Sequence, residues 1–164
     1  MRSTLQVENL HRRNFTLAFV GIVLTLLGGA TAHAGRATRN VDQAIAWARG
    51  QKGTQNWATY TCLKFARTAY GYTSSYDTAK TAADTARRKG ILRGGRPTDA
   101  PRGAFLFYNW GTAGHVGIRT DGSNLIHAWT TSGARYARIE EVNANLSLSF
   151  VGWVAPGDLN TLMP

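Results

Sequence analysis

Cysteine is almost absent from this 164-residue chain: Cys62 is the only one. An internal disulfide is therefore excluded, and the lone thiol is buried filler, an intermolecular bridge or a reactive group. No apolar run reaches the roughly 20 residues of a comfortable membrane span; the longest, Phe15 to Leu27, has 13. No C-x-x-C or H-x-x-x-H pair is present, so the usual short metal-ligand spacings are missing. Acidic residues are few, 9 against 19 lysines and arginines. No internal repeat, low-complexity tract or nucleic-acid-binding motif is seen, despite the net charge of +10.

What is present begins with an export signal. Arg12 and Arg13 precede the apolar run, and Ala32-His33-Ala34 follows it. A basic start, a short apolar core and an A-x-A end describe a secretory signal peptide over residues 1–34. The competing reading is an uncleaved N-terminal anchor. The Arg-Arg-Asn-Phe start keeps both the Sec and the twin-arginine routes open. The segment carries three positive charges and one negative, so residues 35–164 keep a net charge of +8. A secreted protein with that charge is drawn to polyanions, of which the bacterial cell wall is one. Nucleic acid is not expected as a partner, and a monomer is. Arg87, Arg88 and Lys89 are the densest basic run and read as a solvated helix end.

Periodicity predicts helices first and strands after. Val41 to Arg49 reads as a helix capped by Asn40, with Val41, Ile45 and Ala44 or Ala48 on one face. Cys62 to Tyr70 reads as a second, with Thr61 as N-cap and Gly71 as its end. A third, capped by Ser75 or Asp77, runs to about Lys89, and its alanines suit close packing. From Gly103 the period becomes two: GAFLFY, GHVGIR, LIHAW, RYARIEEV and SFVGWVA are five candidate strands. Helices followed by strands joined by short turns predict an α+β fold, with N-terminal helices on a roughly five-stranded antiparallel sheet. Residues 35–164 are expected to form one catalytic domain, with a core over about 41–155.

The chemistry gathers in a few residues. Beyond residue 34 the only histidines are His115 and His127. Both are odd-numbered, so a loop of three residues, Asp-Gly-Ser, or of five, Thr120 to Asn124, places them on one face of a hairpin. A two-residue Asp-Gly loop places them on opposite faces. Cys62 falls in the first turn of a helix, where exposed N–H groups favour thiolate. A thiol with two histidines suggests acyl transfer. His115 takes the thiol proton and later protonates the leaving amine. His127 fixes the tautomer and angle of His115. The Cys62 N–H is one oxyanion donor, and Tyr60, Asn56 or Gln55 is a candidate for a second. Tyr60, Trp110 and Trp129 are candidate cleft residues. No cofactor or metal is expected, although Cys62, His115 and His127 could also be read as three zinc ligands.

The order Cys62-Leu63-Lys64-Phe65-Ala66-Arg67, then Gly103 to Tyr108, then Gly114-His115-Val116-Gly117-Ile118, then Ile126-His127-Ala128 resembles the NlpC-type papain-like cysteine peptidases. The CHAP amidases are close behind. The resemblance spans most of Val41 to Ala155. It implies a papain-like fold and a secreted cell-wall hydrolase cutting peptide bonds in peptidoglycan stems. It also implies that Cys62, His115 and His127 are nucleophile, base and third polar residue. The chain departs from the family at Thr61-Cys62-Leu63-Lys64, where Asp-Cys-Ser-Gly is usual, and at Gly103-Ala104, where Gly-Asp is common. A non-catalytic wall-binding module of the same fold and a thiol acyltransferase are the alternatives.

Overall fold

Five antiparallel strands run in the order β4-β3-β2-β1-β5, and helices flank them. They are β1 (Phe105–Asn109), β2 (His115–Arg119), β3 (Asn124–Trp129), β4 (Gly133–Arg138) and β5 (Ser149–Val154). The computed structural model describes residues 36–54, 56–57, 60–73, 76–129, 133–145 and 148–163. All described elements fall within one unit, Ala32–Pro164. The expected signal peptide lies outside the described residues. Among those residues no helix is long and apolar enough to cross a membrane. The architecture is α+β, with an antiparallel sheet as the period change at Gly103 predicts.

The helices form where capping and spacing require. α1 (Val41–Gly50) starts at a reciprocal capping box. The Asn40 side chain accepts from the Gln43 N–H at 2.9 Å, and the Gln43 side chain accepts from the Asn40 N–H at 3.0 Å. α2 (Cys62–Tyr70) ends at Gly71. α3 (Ala79–Arg88) is capped by Thr78, whose hydroxyl accepts from the Thr81 N–H, and not by Ser75 or Asp77. Ser75 lies outside the described residues, and Asp77 sits one residue before the cap. Ala79, Ala82, Ala83 and Ala86 are buried. The i, i+3, i+4, i+7 spacing gives a smooth face that lies close to β1, β2 and β5. Arg87 and Arg88 stand in the last turn, as the basic run suggested.

The strand expected over RYARIEEV is half right. β4 stops at Arg138 and Ile139–Asn145 turns into a helix, α4. Glu141 reaches back to accept from the Arg138 N–H at 3.1 Å, and Glu140 and Glu141 fill the first turn. Acids there suit the helix dipole. Ile139 and Val142 are both buried, three residues apart, so the apolar period has changed from two to three. A short α5 (Leu159–Leu162) buries Leu159 and Leu162 beyond the core expected from sequence.

The sheet separates two cores. Phe105, Phe107, Val116, Ile118, Ile126 and Ala128 pack with α1, α2 and α3 on one side. Leu106, Tyr108, Leu125, Ile139 and Val142 form a second cluster, edged by Trp110, Trp129 and Trp153. Both faces of β1 are therefore buried, which explains its unbroken apolar run.

Candidate active site

The hairpin resolves the parity question. Ile118 faces Ile126 and Arg119 faces Leu125, and the Thr120 N–H donates to the Asn124 carbonyl at 2.9 Å. That closes the three-residue loop Asp121-Gly122-Ser123, the odd-numbered case. His115 and His127 consequently share a face, and their rings meet. Nε2 of His115 lies 2.7 Å from Nδ1 of His127, with the ring planes at 81°. Both side chains are buried, with 1% and 0% of their surface exposed.

Two glycines flank His115 at places where a side chain would not fit. Gly114, at φ +68°, lies against the backbone of Lys80 at the start of α3. There the Lys80 N–H donates to the Ala113 carbonyl at 2.8 Å. A Cβ at Gly114 would come within 2.9 Å of that backbone nitrogen. At Gly117 a Cβ would collide with Leu125 and press on the His127 Cβ at 3.3 Å. Gly117 thus leaves room for the His127 side chain, and Gly114 lets the loop before β2 lie against α3.

Cys62 opens α2, with Thr61 in the cap position. The thiol is only 6% exposed. It belongs to the first core and meets β2 through the backbone N–H of Val116, one residue from His115. Burial pushes the thiol up from its ordinary range. The N–H groups of Val116, Leu63 and Cys62 itself pull the other way and partly offset it. The helix start was expected to favour thiolate; desolvation outweighs it here, and the resting group is the neutral thiol. The imidazoles are neutral too. Burial pulls His115 down, and the charge of Arg135 adds to the effect. For His127 the same burial is joined by repulsion from His115 and Arg135.

Aromatic rings enclose the pair. Trp129 lies 5.1 Å from the His115 ring, Trp110 6.4 Å and Tyr108 6.5 Å. Trp110 packs on Trp129 at 5.3 Å, and Tyr60 tilts onto Trp110 at 5.7 Å. Tyr60 and Trp110, with Gly111 and Thr112, line a depression of about 400 Å³. Trp129 stands behind Trp110 and does not line it. Tyr60 is two residues from the thiol, 69% exposed, and holds φ +64°. A left-handed non-glycine residue is strained, and such strain gathers at functional sites. Asn56 is exposed in the same loop, and Gln55 lies outside the described residues.

Sequence reasoning missed Arg135. It lies opposite His127 in the β3–β4 ladder, and its Nε–H donates to His127 Nε2 at 3.4 Å. No signal in the sequence singles it out; its place follows from the register, in which Trp129 pairs with Gly133 and His127 with Arg135. The zinc reading of Cys62, His115 and His127 does not fit the geometry. The two histidine nitrogens point at each other and leave no room for a shared ion. Among the described residues no three His, Cys, Asp or Glu side chains are placed to hold a metal. No family model matches the chain, and no curated protein shows significant similarity to it.

Proposed function

We propose that this protein is a secreted cysteine peptidase or amidase that cuts peptide bonds in peptidoglycan stems. The papain-like arrangement suggested by the resemblance belongs to the same proposal. The observation that carries it is the buried His115–His127 contact of 2.7 Å on a hairpin whose Val116 N–H, one residue from His115, meets a thiol at a helix start. Two buried imidazoles cost stability unless each satisfies the other, and a polar pair set among aromatic rings is a common signature of a working site.

In this reading Cys62 is the nucleophile and His115 the base. The His115 nitrogen engaged by His127 is Nε2, which leaves Nδ1 for the thiol proton. The sulfur then adds to the amide carbonyl. Collapse of the adduct breaks the C–N bond, and the proton passes from His115 to the leaving amine. Water, deprotonated through the same ring, hydrolyses the thioester and restores the thiol. The Cys62 N–H is the first oxyanion donor. Tyr60 and Trp110 offer a wall for the substrate peptide. The +8 charge of residues 35–164 supplies attraction to anionic wall polymers.

The +8 charge of residues 35–164 and the burial of the thiol, only 6% exposed, favour a second reading, a wall-binding module that retains the residues without turnover. A wall suspension separates the two. The peptidase reading expects the wild type to clear turbidity while Cys62→Ala binds walls and leaves them intact. Equal binding without clearing by either protein would favour the module.

A further inference from the structure

We propose that Arg135 is a positioning residue that dictates which nitrogen of each buried imidazole carries the proton, and that it holds His115 at rest with Nδ1 protonated. The proton assignment stands on geometry; its consequence for catalysis rests on the peptidase reading.

The chain of hydrogen bonds has one direction. A guanidinium only donates. Its Nε–H lies 3.4 Å from His127 Nε2, so that nitrogen must present a lone pair. His127 is neutral in its buried setting, so its single proton is on Nδ1. That N–H points at His115 Nε2 over 2.7 Å, which must therefore accept. His115 is neutral as well, and its proton is left on Nδ1.

Arg135 is built to hold this role. It faces His127 directly across the ladder. Its guanidinium carbon sits over the Trp129 ring, 5.5 Å from the centroid, and Trp129 in turn packs on both imidazoles. Among the described residues no carboxylate pairs with it, and its charge adds to burial in keeping both rings neutral. Among the described residues the other titratable group packed on the pair is Tyr108 from β1, kept neutral by burial, while Cys62 meets the backbone of Val116 on the same strand as His115. Trp110 and Trp129 carry no charge.

The consequence is a brake on the thiol. To accept the Cys62 proton, His115 needs a lone pair on Nδ1. Both rings must then move their proton to Nε2. Neither gains nor loses a proton overall, but the His127 N–H would now confront the Arg135 N–H. The working register is reached only when the guanidinium swings away.

The test is the tautomer of each histidine, read from ¹⁵N shifts and long-range ¹H–¹⁵N correlations at neutral pH. The wild type is expected to show Nδ1–H on both His115 and His127. Arg135→Met is expected to populate the Nε2–H forms, and Arg135→Lys to keep the wild-type pattern. Iodoacetamide alkylation of Cys62 should run about tenfold faster at pH 7 in Arg135→Met, the effect of roughly one unit in the thiol's ionisation. An Nε2–H on His127 in the wild type overturns the proposal, whether or not the variants fold. So do unchanged tautomers in a folded Arg135→Met protein. The spectra do not depend on turnover. The expected tautomers in a protein that cleaves no wall would sink the peptidase reading and leave the assignment of Arg135 standing.

Discussion

His127 touches His115 on one side and a cation on the other, and single substitutions test each contact. His127→Ala leaves the buried His115 Nε2 without its partner, at a cost of about 1–3 kcal/mol. His127→Asn retains a side chain able to donate to that nitrogen and should recover part of both stability and turnover. Chemical denaturation and kcat on wall fragments check the pair; equal loss in both variants would deny His127 an orienting role. Tyr60→Gly separates strain from function. Relief of φ +64° should hold or raise the melting temperature, while loss of the ring raises KM. An unchanged KM would remove Tyr60 from the cleft. At this scale the sequence was legible for Cys62, His115 and His127 because rare residue types stand out. Arg135 was not, because arginine is common here and its meaning comes only from the residue across the ladder.

Among the elements, the β2–β3 hairpin matters most, since a slip of one residue would send His127 to the opposite face. Gly117 packs closely against β3 in that register. Gly117→Ala would force a methyl against Leu125 and the His127 Cβ, at about 1–3 kcal/mol. Thermal denaturation should show that loss together with a weakened His115–His127 contact in the ¹⁵N spectrum. A variant as stable as wild type would mean the strands part without harm. Legibility differs along the chain for physical reasons. Asn40 announces α1 because its cap is local, and the alanine spacing announces α3. The switch from β4 to α4 was hidden because Arg-Ile-Glu-Glu-Val fits an alternating pattern as well as a helical one. Tertiary packing of Ile139 and Val142 into one cluster decides between them. The hairpin loop was left open between the odd lengths and a two-residue turn, and the Thr120–Asn124 bond selects three residues.

For the whole molecule, the buried imidazoles link stability to pH. Unfolded, each titrates near its ordinary value of 6.5; folded, both titrate well below it. Between those values the unfolded chain binds more protons, so acid favours unfolding. Stability is complete above the unfolded value and falls as pH drops through the window beneath it. The slope approaches about 1.4 kcal/mol per pH unit for each ring. Denaturation midpoints should therefore decline from pH 6.5 to about 5, above the range where carboxylates dominate. Replacing both histidines by glutamine should flatten that stretch, and an unchanged slope would show the rings to be solvated. Charge acts at the same scale. Wall binding driven by the +8 of residues 35–164 should weaken steeply between about 0.1 and 1 M salt, where the screening length falls from about 10 to 3 Å. The most direct measurement is the chemistry itself: purified peptidoglycan digested by the wild type and by Cys62→Ala, with the fragments analysed by mass spectrometry for new amine and carboxyl ends. The account predicts paired new ends within the stem peptides from the wild type alone. Identical fragments from both proteins, or intact stems across several wall types with both proteins folded, would contradict it.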